Sequence, residues 1–383
     1  MWEIVSLKDL CTVFDDGDWI ETKDQSYEGI RLIQTGNIKV GRFAKRSDKS
    51  RYISDATFKR LNCTEVKEGA ILVSRLPDPV GRACLVPALE GKAITAVDCT
   101  IIRTNDSTLP QYLNYYLQSP EYFSLVQGRV TGATRQRISR KNLGDIPIKI
   151  PPLPEQKRIV ERLDKAFAEI DKVKTAVWHG EGNNRGLVNA AVRAVLSDKR
   201  FGWEYENIES ISENLDSMRM PISKSKRVSG GVPYYGASGV VDYVEGSIFD
   251  ENLLLISEDG ANLLMRTYPI AYSISGKSWV NNHAHVLRFS NMEIQRWVEY
   301  YLNATDLKTH ISGMAQPKLN QKKLNALPVP LPQERHIQDI LGIIEVHKQV
   351  SEEMACLYAK KELQLKNLVD SILRQELTPE KAA

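Results

Sequence analysis

Between Gln127 and Asn142 the chain carries Arg129, Arg135, Arg137, Arg140 and Lys141 and no acidic residue. Guanidinium and ammonium groups clustered in this way suit phosphate oxygens, which they neutralise and hydrogen-bond without reading a sequence. One run of cations is ordinarily a solvated face. Here the run occurs twice: residues 307–327 hold Lys308, Lys318, Lys322 and Lys323, again with no acid. Gln136 and Gln316 lie inside the two runs and join them as candidate contacts. Recurrence at the same place in two copies of one segment points to phosphate contact.

Other side chains are candidates for reading bases. Arg75, in Ser74-Arg-Leu-Pro-Asp78, can reach guanine bidentately, and Asn262, in Ser257-Glu-Asp-Gly-Ala-Asn262, can address adenine. The two loops hold corresponding places when the strand-like run around Leu72 is paired with that around Leu255. Tyr234-Tyr235, beside Gly236 and Ser238, reads equally as a base-contact loop or as a hairpin turn with aromatic cover. His283-Ala-His285 offers two imidazoles on one strand face. With no Cys or Asp near them in sequence, packing or nucleic-acid contact is preferred to metal binding.

Catalytic motifs are missing. There is no Asn-Pro-Pro-Tyr or Asp-Pro-Pro-Tyr methylase motif, and Asp78-Pro-Val-Gly81 is not one. Gly276-Lys-Ser278 lacks the upstream glycine of a Walker A loop. Gly180-x-Gly-x-x-x-Gly186 misses the dinucleotide spacing and follows a helix, so it reads as a linker. The expectation is a binding protein with no metal or cofactor of its own. The alternative is a DNA-binding nuclease, or another enzyme with an unrecognised catalytic site, whose basic segments hold substrate. A helical scaffold whose globules bind protein is a third reading.

The elements that position these residues are duplicated. Gly132-Ala-Thr-Arg-Gln-Arg-Ile-Ser-Arg-Lys-Asn-Leu143 is matched by Gly313-Met-Ala-Gln-Pro-Lys-Leu-Asn-Gln-Lys-Lys-Leu324, at a separation of 181 (313 − 132). Pro151-Pro-Leu-Pro-Glu-Gln156 is then matched by Pro330-Leu-Pro-Gln-Glu334, at 178 (332 − 154). So long a period on 383 residues is no solenoid. It describes two domains, each leaving through a proline exit into a helix. Before each exit come short strand-like runs punctuated by Gly, Pro, Asp and Asn, then a helical stretch, residues 110–126 in the first copy and 294–302 in the second.

After the first exit, Ile159, Leu163, Ala166, Ile170, Val173 and Val177 follow at spacings of 4, 3, 4, 3 and 4, a coiled-coil seam. The helix is expected to last about 25 residues, roughly 37 Å at 1.5 Å per residue, and to break at Gly180-Glu-Gly182. After the second exit, Ile337, Ile340 and Ile344, then Leu365, Leu368 and Ile372, mark a matching helix with a phase shift near residues 347–350. The residues expected to pair the helices are Ile159, Leu163, Ile170 and Val173 with Ile337, Ile344, Leu365 and Leu368. The expected divisions are residues 1–151 and 201–331 for the globules, and 152–200 and 332–383 for the helical regions.

Composition sets bounds. Hydrophobic content of 42% and 26% charged residues are ordinary for a globular protein. The net charge is only +3, so any positive surface must be local. Five scattered cysteines without a Cys-x-x-Cys pair, an opening without the pattern of a signal peptide and no long apolar run predict a cytoplasmic protein.

The order globule, proline exit, long helix, repeated, resembles the specificity subunit of type I restriction–modification systems. The resemblance rests on residues 132–156 and 313–334. It is joined by Gly231-Val-Pro-Tyr-Tyr-Gly-Ala-Ser-Gly239, Ser257-Glu-Asp-Gly-Ala-Asn262 and Asn281-Asn-His-Ala-His285. It implies an α+β fold, with two α/β target recognition globules joined and separated by two long antiparallel coiled-coil helices. It also implies a non-catalytic reader of double-stranded DNA, each globule taking one half of a bipartite asymmetric site and the helices setting the spacer. Two methyltransferase (modification) subunits would dock on the helices, and motor-nuclease (restriction) subunits can add to them. S-adenosylmethionine, ATP and Mg are expected on those partners.

Overall fold

The computed structural model describes residues 2–132, 134–313 and 316–378. Of the duplicated segment, Ala133, Met314 and Ala315 lie outside the described residues. The chain divides into two compact units, Met1–Val177 with Lys360–Ala383, and Trp178–Ala359.

In the first unit the strand order Cys11–Asp16, Cys99–Thr104, Ile71–Ser74, Ala83–Leu85 makes an antiparallel sheet. Ile71–Ser74 is buried throughout, as its unbroken apolar run requires. A second sheet runs Ala93–Thr95, Ile30–Ile33, Arg51–Ile53, Gln25–Ser26, and its first pair is parallel. Glu3–Ser6 pairs antiparallel with Pro147–Ile150, tying the start of the globule to its exit.

The second unit repeats each of these. Its antiparallel sheet runs Glu213–Asn214, Ala284–Arg288, Leu253–Ser257, Ala271–Ile274. The companion sheet runs Gly239–Val244, Ser229–Gly236, Lys277–Val280, Phe249–Asp250, with one parallel pair. Glu204–Asn207 closes on Pro328–Leu331.

The helical stretch of the first globule is two helices, Pro110–Tyr116 and Pro120–Gln127. Proline cannot supply an N–H inside a helix but suits a first turn, and Ser119 caps the second helix by accepting from the Tyr122 N–H at 3.2 Å. In the second globule one helix, Met292–Ala304, serves. Each globule locks this helical layer to its closing strand with a buried aromatic donor. The Tyr112 hydroxyl donates to the Lys149 carbonyl at 2.8 Å, and the Trp297 indole N–H donates to the Pro330 carbonyl at 2.6 Å.

The helix after the first exit, Leu153–Arg185, has 33 residues and runs through Gly180 and Gly182, where the sequence predicts a break. A Cβ on Gly180 would stand 2.5 Å from the Tyr358 hydroxyl. The glycine therefore admits a neighbouring helix instead of ending its own. A new helix, Leu187–Ser197, starts after Gly186. Gln156 fixes the entry: fully buried, its side chain accepts from the Leu109 N–H at 2.8 Å and donates to the carbonyls of Ser107 and Pro151 at 2.9 and 2.8 Å. The second exit has Glu334 in the matching position, where a buried acid could not donate twice. That exit opens with a short 3-10 turn, Glu334–His336, before the helix Ile337–Glu376.

The two long helices meet within each unit. In the first, Ile159 and Leu163 share a core with Leu373 and Leu377, and Arg162 pairs with Glu376 at 2.6 Å. In the second, the Asn184 amide donates to the Ser351 carbonyl at 2.8 Å, while Gly180 faces Tyr358. Partners thus descend as residues ascend, which is antiparallel packing. Ile159, Leu163, Ile170, Ile337 and Ile344 are buried, but Val173 is 45% and Leu368 47% exposed, and Leu365 is half-buried. For these the sequence phase is corrected. The first helix keeps the expected seam at Ile159, Leu163, Ile170 and Val177 and departs from it at Val173, and the last helix departs at Leu368. Ile372 of the expected seam packs on the first core together with Val369, Leu373 and Leu377.

Candidate nucleic-acid interface

The described residues of the duplicated segment make the same backbone closure in both units. Thr131 and Arg137 exchange two backbone hydrogen bonds at 2.9 Å, and Ser312 and Lys318 do so at 2.9 and 2.8 Å. Gly132 and Gly313 turn the chain at φ of 96° and 80°; a Cβ there would lie 2.4 Å from the Arg135 carbonyl oxygen and 2.6 Å from that of Gln316. Only glycine fits both the conformation and the space. Beyond the loop, Ser139 and Asn320 cap the short helices Arg140–Gly144 and Gln321–Asn325, accepting from the N–H of Asn142 and Lys323 at 3.1 and 2.9 Å.

Each loop is fastened at the end of the central buried strand. The Ile138 N–H donates to the Arg75 carbonyl at 3.2 Å, and the Leu319 N–H to the Glu258 carbonyl at 2.8 Å. The Arg75 N–H in turn donates to the Asp98 carbonyl at 2.9 Å, and the Glu258 N–H to the His283 carbonyl at 2.9 Å. The correspondence of the loops after Ser74 and Ser257, read by pairing Leu72 with Leu255, is the one the hydrogen bonds make.

The loops present cations outward. Arg135, Gln136, Arg137, Arg140, Lys141, Gln316, Lys318 and Lys322 are exposed and Lys323 half-buried. Arg140 meets Asp15 at 3.0 Å and Arg135 meets Asp98 at 3.8 Å, both in solvent. Among the described residues, Arg137, Lys141, Lys322 and Lys323 make no ion pair. Arg129 stands apart: half-buried, it donates to the Leu125 carbonyl at 2.9 Å and satisfies the last turn of the preceding helix.

Several base-reading candidates are already engaged. Arg75 is mostly buried, donating to the Val97 carbonyl at 2.6 Å and facing Asp16 at 3.3 Å. Asn262 brackets its own loop, donating to the Tyr268 carbonyl and accepting from the Tyr268 N–H, both at 3.0 Å. Tyr234 is 1% exposed; its hydroxyl accepts from the Ile222 N–H at 2.9 Å and the Arg227 guanidinium lies 4.4 Å from its ring centre. Strand alternation in Ser229–Gly236 turns it inward. For Tyr234 the aromatic-cover reading is therefore the correct one. Tyr235 is half-buried against Tyr272, while Ser238 is exposed at the hairpin tip.

His283 is exposed beside the Asp259 carboxylate at 2.9 Å, and His285 is fully buried. Folding supplies the acids that are remote from these histidines in sequence. Asp216, Glu258 and His285 bring ligand atoms within 4.8 Å of one another, a spacing that could hold a metal ion. The place of a cation is taken by side chains. Arg219 reaches Glu258 at 2.6 Å and Asp216 at 3.4 Å, Lys318 reaches Glu258 at 3.0 Å, and both nitrogens of His285 are engaged. Burial works to raise the Asp216 and Glu258 carboxyls. The bonds from His285 and the Val286 N–H to Asp216, and from Arg219 and Lys318 to Glu258, outweigh it and hold both below their usual range. Glu258 lies inside the segment Ser257–Asn262 already singled out, but nothing in the sequence sets Asp216 beside it; that follows from folding alone.

Two sheet-rich globules, each presenting one outward basic segment, define a duplicated architecture with the same surface built twice. Residues 1–177 and 201–353 each match the family of the type I restriction modification DNA specificity domain, and the chain belongs to that family. Among similar proteins is a Haemophilus influenzae protein provisionally named as type I restriction enzyme specificity subunit S.HindORF215P. It is 32% identical over 150 residues, covering 39% of this chain and 38% of that protein. The EcoBI specificity subunit of Escherichia coli is 31% identical over 223 residues, 55% of this chain and 44% of that one. The chain thus matches less than half the length of these curated relatives. A chain from a solved structure concerned with complex assembly and conformational transition of the type I R-M system shares the fold. Its TM-score is 0.71 at 17% identity, covering 99% of this chain and 98% of that one. No helix among the described residues is long and apolar enough to cross a membrane.

Proposed function

We propose that this chain is the non-catalytic DNA specificity subunit of a type I restriction–modification complex. Each globule reads one half of a bipartite, asymmetric site on double-stranded DNA. The long helices set the unread spacer and dock two methyltransferase subunits, to which restriction subunits can add. S-adenosylmethionine, ATP and Mg belong to those partners, and the complex works in the cytoplasm. The observation that carries the reading is the backbone closure of Thr131 on Arg137, repeated by Ser312 on Lys318 with the same anchor and followed in each unit by a short helix, with cations that make no ion pair among the described residues, Arg137 and Lys141 in the first and Lys322 and Lys323 in the second. Equal loops hold phosphates, and the unlike surroundings give unlike half-sites.

The test is to map methylated adenines in DNA from cells bearing this chain and its methyltransferase. A split, non-palindromic target is expected. A continuous or palindromic target would overturn the reading, as would methylation or cleavage by the purified chain alone with those cofactors, which is what the nuclease alternative requires.

A further inference from the structure

The first globule carries a second run of positive charge, outside the duplicated segment. Residues 32–54 hold Lys39, Arg42, Lys45, Arg46, Lys49 and Arg51 against a single acid, Asp48. All six cations are exposed, and none makes an ion pair among the described residues. Ile38–Lys39 and Arg42–Phe43 form an antiparallel hairpin, with Ile38 opposite Phe43 and Lys39 opposite Arg42. Ile38 is fully buried and Phe43 packs against the same core. Strand alternation therefore sends Lys39 and Arg42 outward together. Like charges directly opposite one another work against strand pairing, and a bound anion relieves that repulsion.

The hairpin is held from beneath by a buried cation. Arg82 donates from Nε to the Ile38 carbonyl at 2.7 Å and from Nη2 to that of Thr35 at 2.9 Å. Its Nη1 donates to the carbonyls of Leu76 and Pro79 at 2.7 and 3.0 Å. The Gly41 N–H adds a bond to the Ala83 carbonyl at 2.8 Å, and the buried Asn37 amide donates to the Ala44 carbonyl at 2.8 Å. One guanidinium thus joins the hairpin to residues 74–81, where the Arg75 carbonyl accepts the Ile138 N–H of the duplicated segment at 3.2 Å. Both basic surfaces of this globule share that support. The second globule builds no counterpart. There the Ser257 N–H donates to the Ile270 carbonyl at 2.7 Å, as the Ser74 N–H does to that of Arg82 at 2.8 Å, so Ile270 stands where Arg82 does. Asn303 covers that strand instead, accepting from the Ile270 and Ala271 N–H groups at 2.8 and 3.1 Å. No hairpin matches Ile38–Lys39 and Arg42–Phe43 among the described residues of that unit.

We propose that the hairpin and the turn after it, residues 38–51, form a further phosphate-binding surface on the first globule, which takes the backbone of duplex DNA in addition to the stretch held by Arg137 and Lys141. Ammonium and guanidinium groups on a backbone fixed in this way suit phosphate oxygens and carry no sequence information. A phosphate set between Lys39 and Arg42 attracts both and offsets their mutual repulsion. The grip on DNA is then unequal, because the matching place in the second globule offers no such cations. That the ligand is DNA rests on the function proposed above.

The test uses the full-length chain and a random-sequence duplex, with binding followed by anisotropy at several salt concentrations. Lys39→Gln, Arg42→Gln, Lys45→Gln and Lys49→Gln, combined in one variant, should weaken binding about tenfold or more at low salt. The slope of log K against log salt should fall by about 2–3, the contribution of roughly three phosphates. A second variant, Lys39→Arg with Lys45→Arg and Lys49→Arg, keeps the charge and should restore the slope. Unchanged slope and affinity in the neutral variant overturn the proposal. So does a charge-retaining variant as weak as the neutral one, because local structure and not charge was then lost. Methylation mapping separates this surface from the function on which it rests. A split target together with an unchanged slope overturns the surface alone. A lowered slope without a split target keeps the surface and overturns the specificity role, and a chain that binds no duplex at any salt overturns both.

Discussion

Arg135, Arg137, Arg140 and Lys141 differ from Arg75 in what their charges face. The first four are exposed; Arg135 and Arg140 meet Asp98 and Asp15 in solvent, and Arg137 and Lys141 make no ion pair among the described residues. Their joint replacement by alanine should weaken binding equally on all duplexes and flatten the salt dependence by about 0.9 for each phosphate no longer neutralised, read from binding isotherms at several salt concentrations. Arg75 is spent on Val97 and Asp16. Arg75→Ala should therefore lower stability by about 1–3 kcal/mol, because it leaves the part-buried Val97 carbonyl without its donor and Asp16 without its nearest cation. Denaturant unfolding measures this. Two acids of the second globule add a pH dependence. The Asp216 and Glu258 carboxyls titrate lower in the fold than in the unfolded chain, where about 3.9 and 4.3 are usual. The stability they contribute is complete above those unfolded values and disappears as pH falls through the lower folded ones. Asp216→Asn should remove part of that acid sensitivity in a circular dichroism titration.

At the scale of the element, the register of the long helices is the testable point. Leu373 is fully buried among Ile159, Leu163 and the first globule's core, whereas Leu368 is 47% exposed. Leu373→Ala should cost about 2–5 kcal/mol by transfer and cavity terms, and Leu368→Ala should stay within about 0.5 kcal/mol. Equal losses would show that the heptad phase, and not the observed one, describes the helix pair. Gln156 gives a second measure. Its side chain satisfies the Leu109 N–H and the Ser107 carbonyl at the first exit, so Gln156→Ala should destabilise the chain by about 2–3 kcal/mol. The glutamate at the second exit needs no such bonds, because a 3-10 turn begins the helix there.

For the whole molecule, both long helices continue from one unit into the other, Leu153–Arg185 across Val177 and Trp178, and Ile337–Glu376 across Ala359 and Lys360. A ruler must be lengthened in both. Four residues inserted after Val173, with four more after Ala359, add about 6 Å and rotate the downstream turns of each helix by about 40° net, nearly preserving the apolar faces. At about 3.4 Å per base pair, the unread spacer should grow by one or two base pairs while both half-sites stay the same, as methylation mapping would register. A spacer of unchanged length would show that the helices do not measure the distance.

What the sequence determined by itself was everything carried by local chemistry and its repetition. Gly132 and Gly313 announce a turn only glycine can make, Ser139 and Asn320 announce helix caps, and a segment written twice announces two globules with one basic loop each. The proline exits mark where helices start because proline, with its fixed φ and no N–H, suits a first turn and not a helix interior. Only the tertiary structure decided which charges are free. Arg75, Arg129 and Tyr234 look like surface residues by type, yet strand alternation and a helix end turn them inward. Asp16 and Asp216 belong to no motif, and register across the sheet alone brings them under the loops, beside an arginine in one globule and a histidine in the other. Helix phase was likewise undecided. A repeat of 3.5 and a turn of 3.6 drift only slowly apart, so Ile170 and Val177 stay buried, and the exposure of Val173 and Leu368 depended on what packs there and not on spacing.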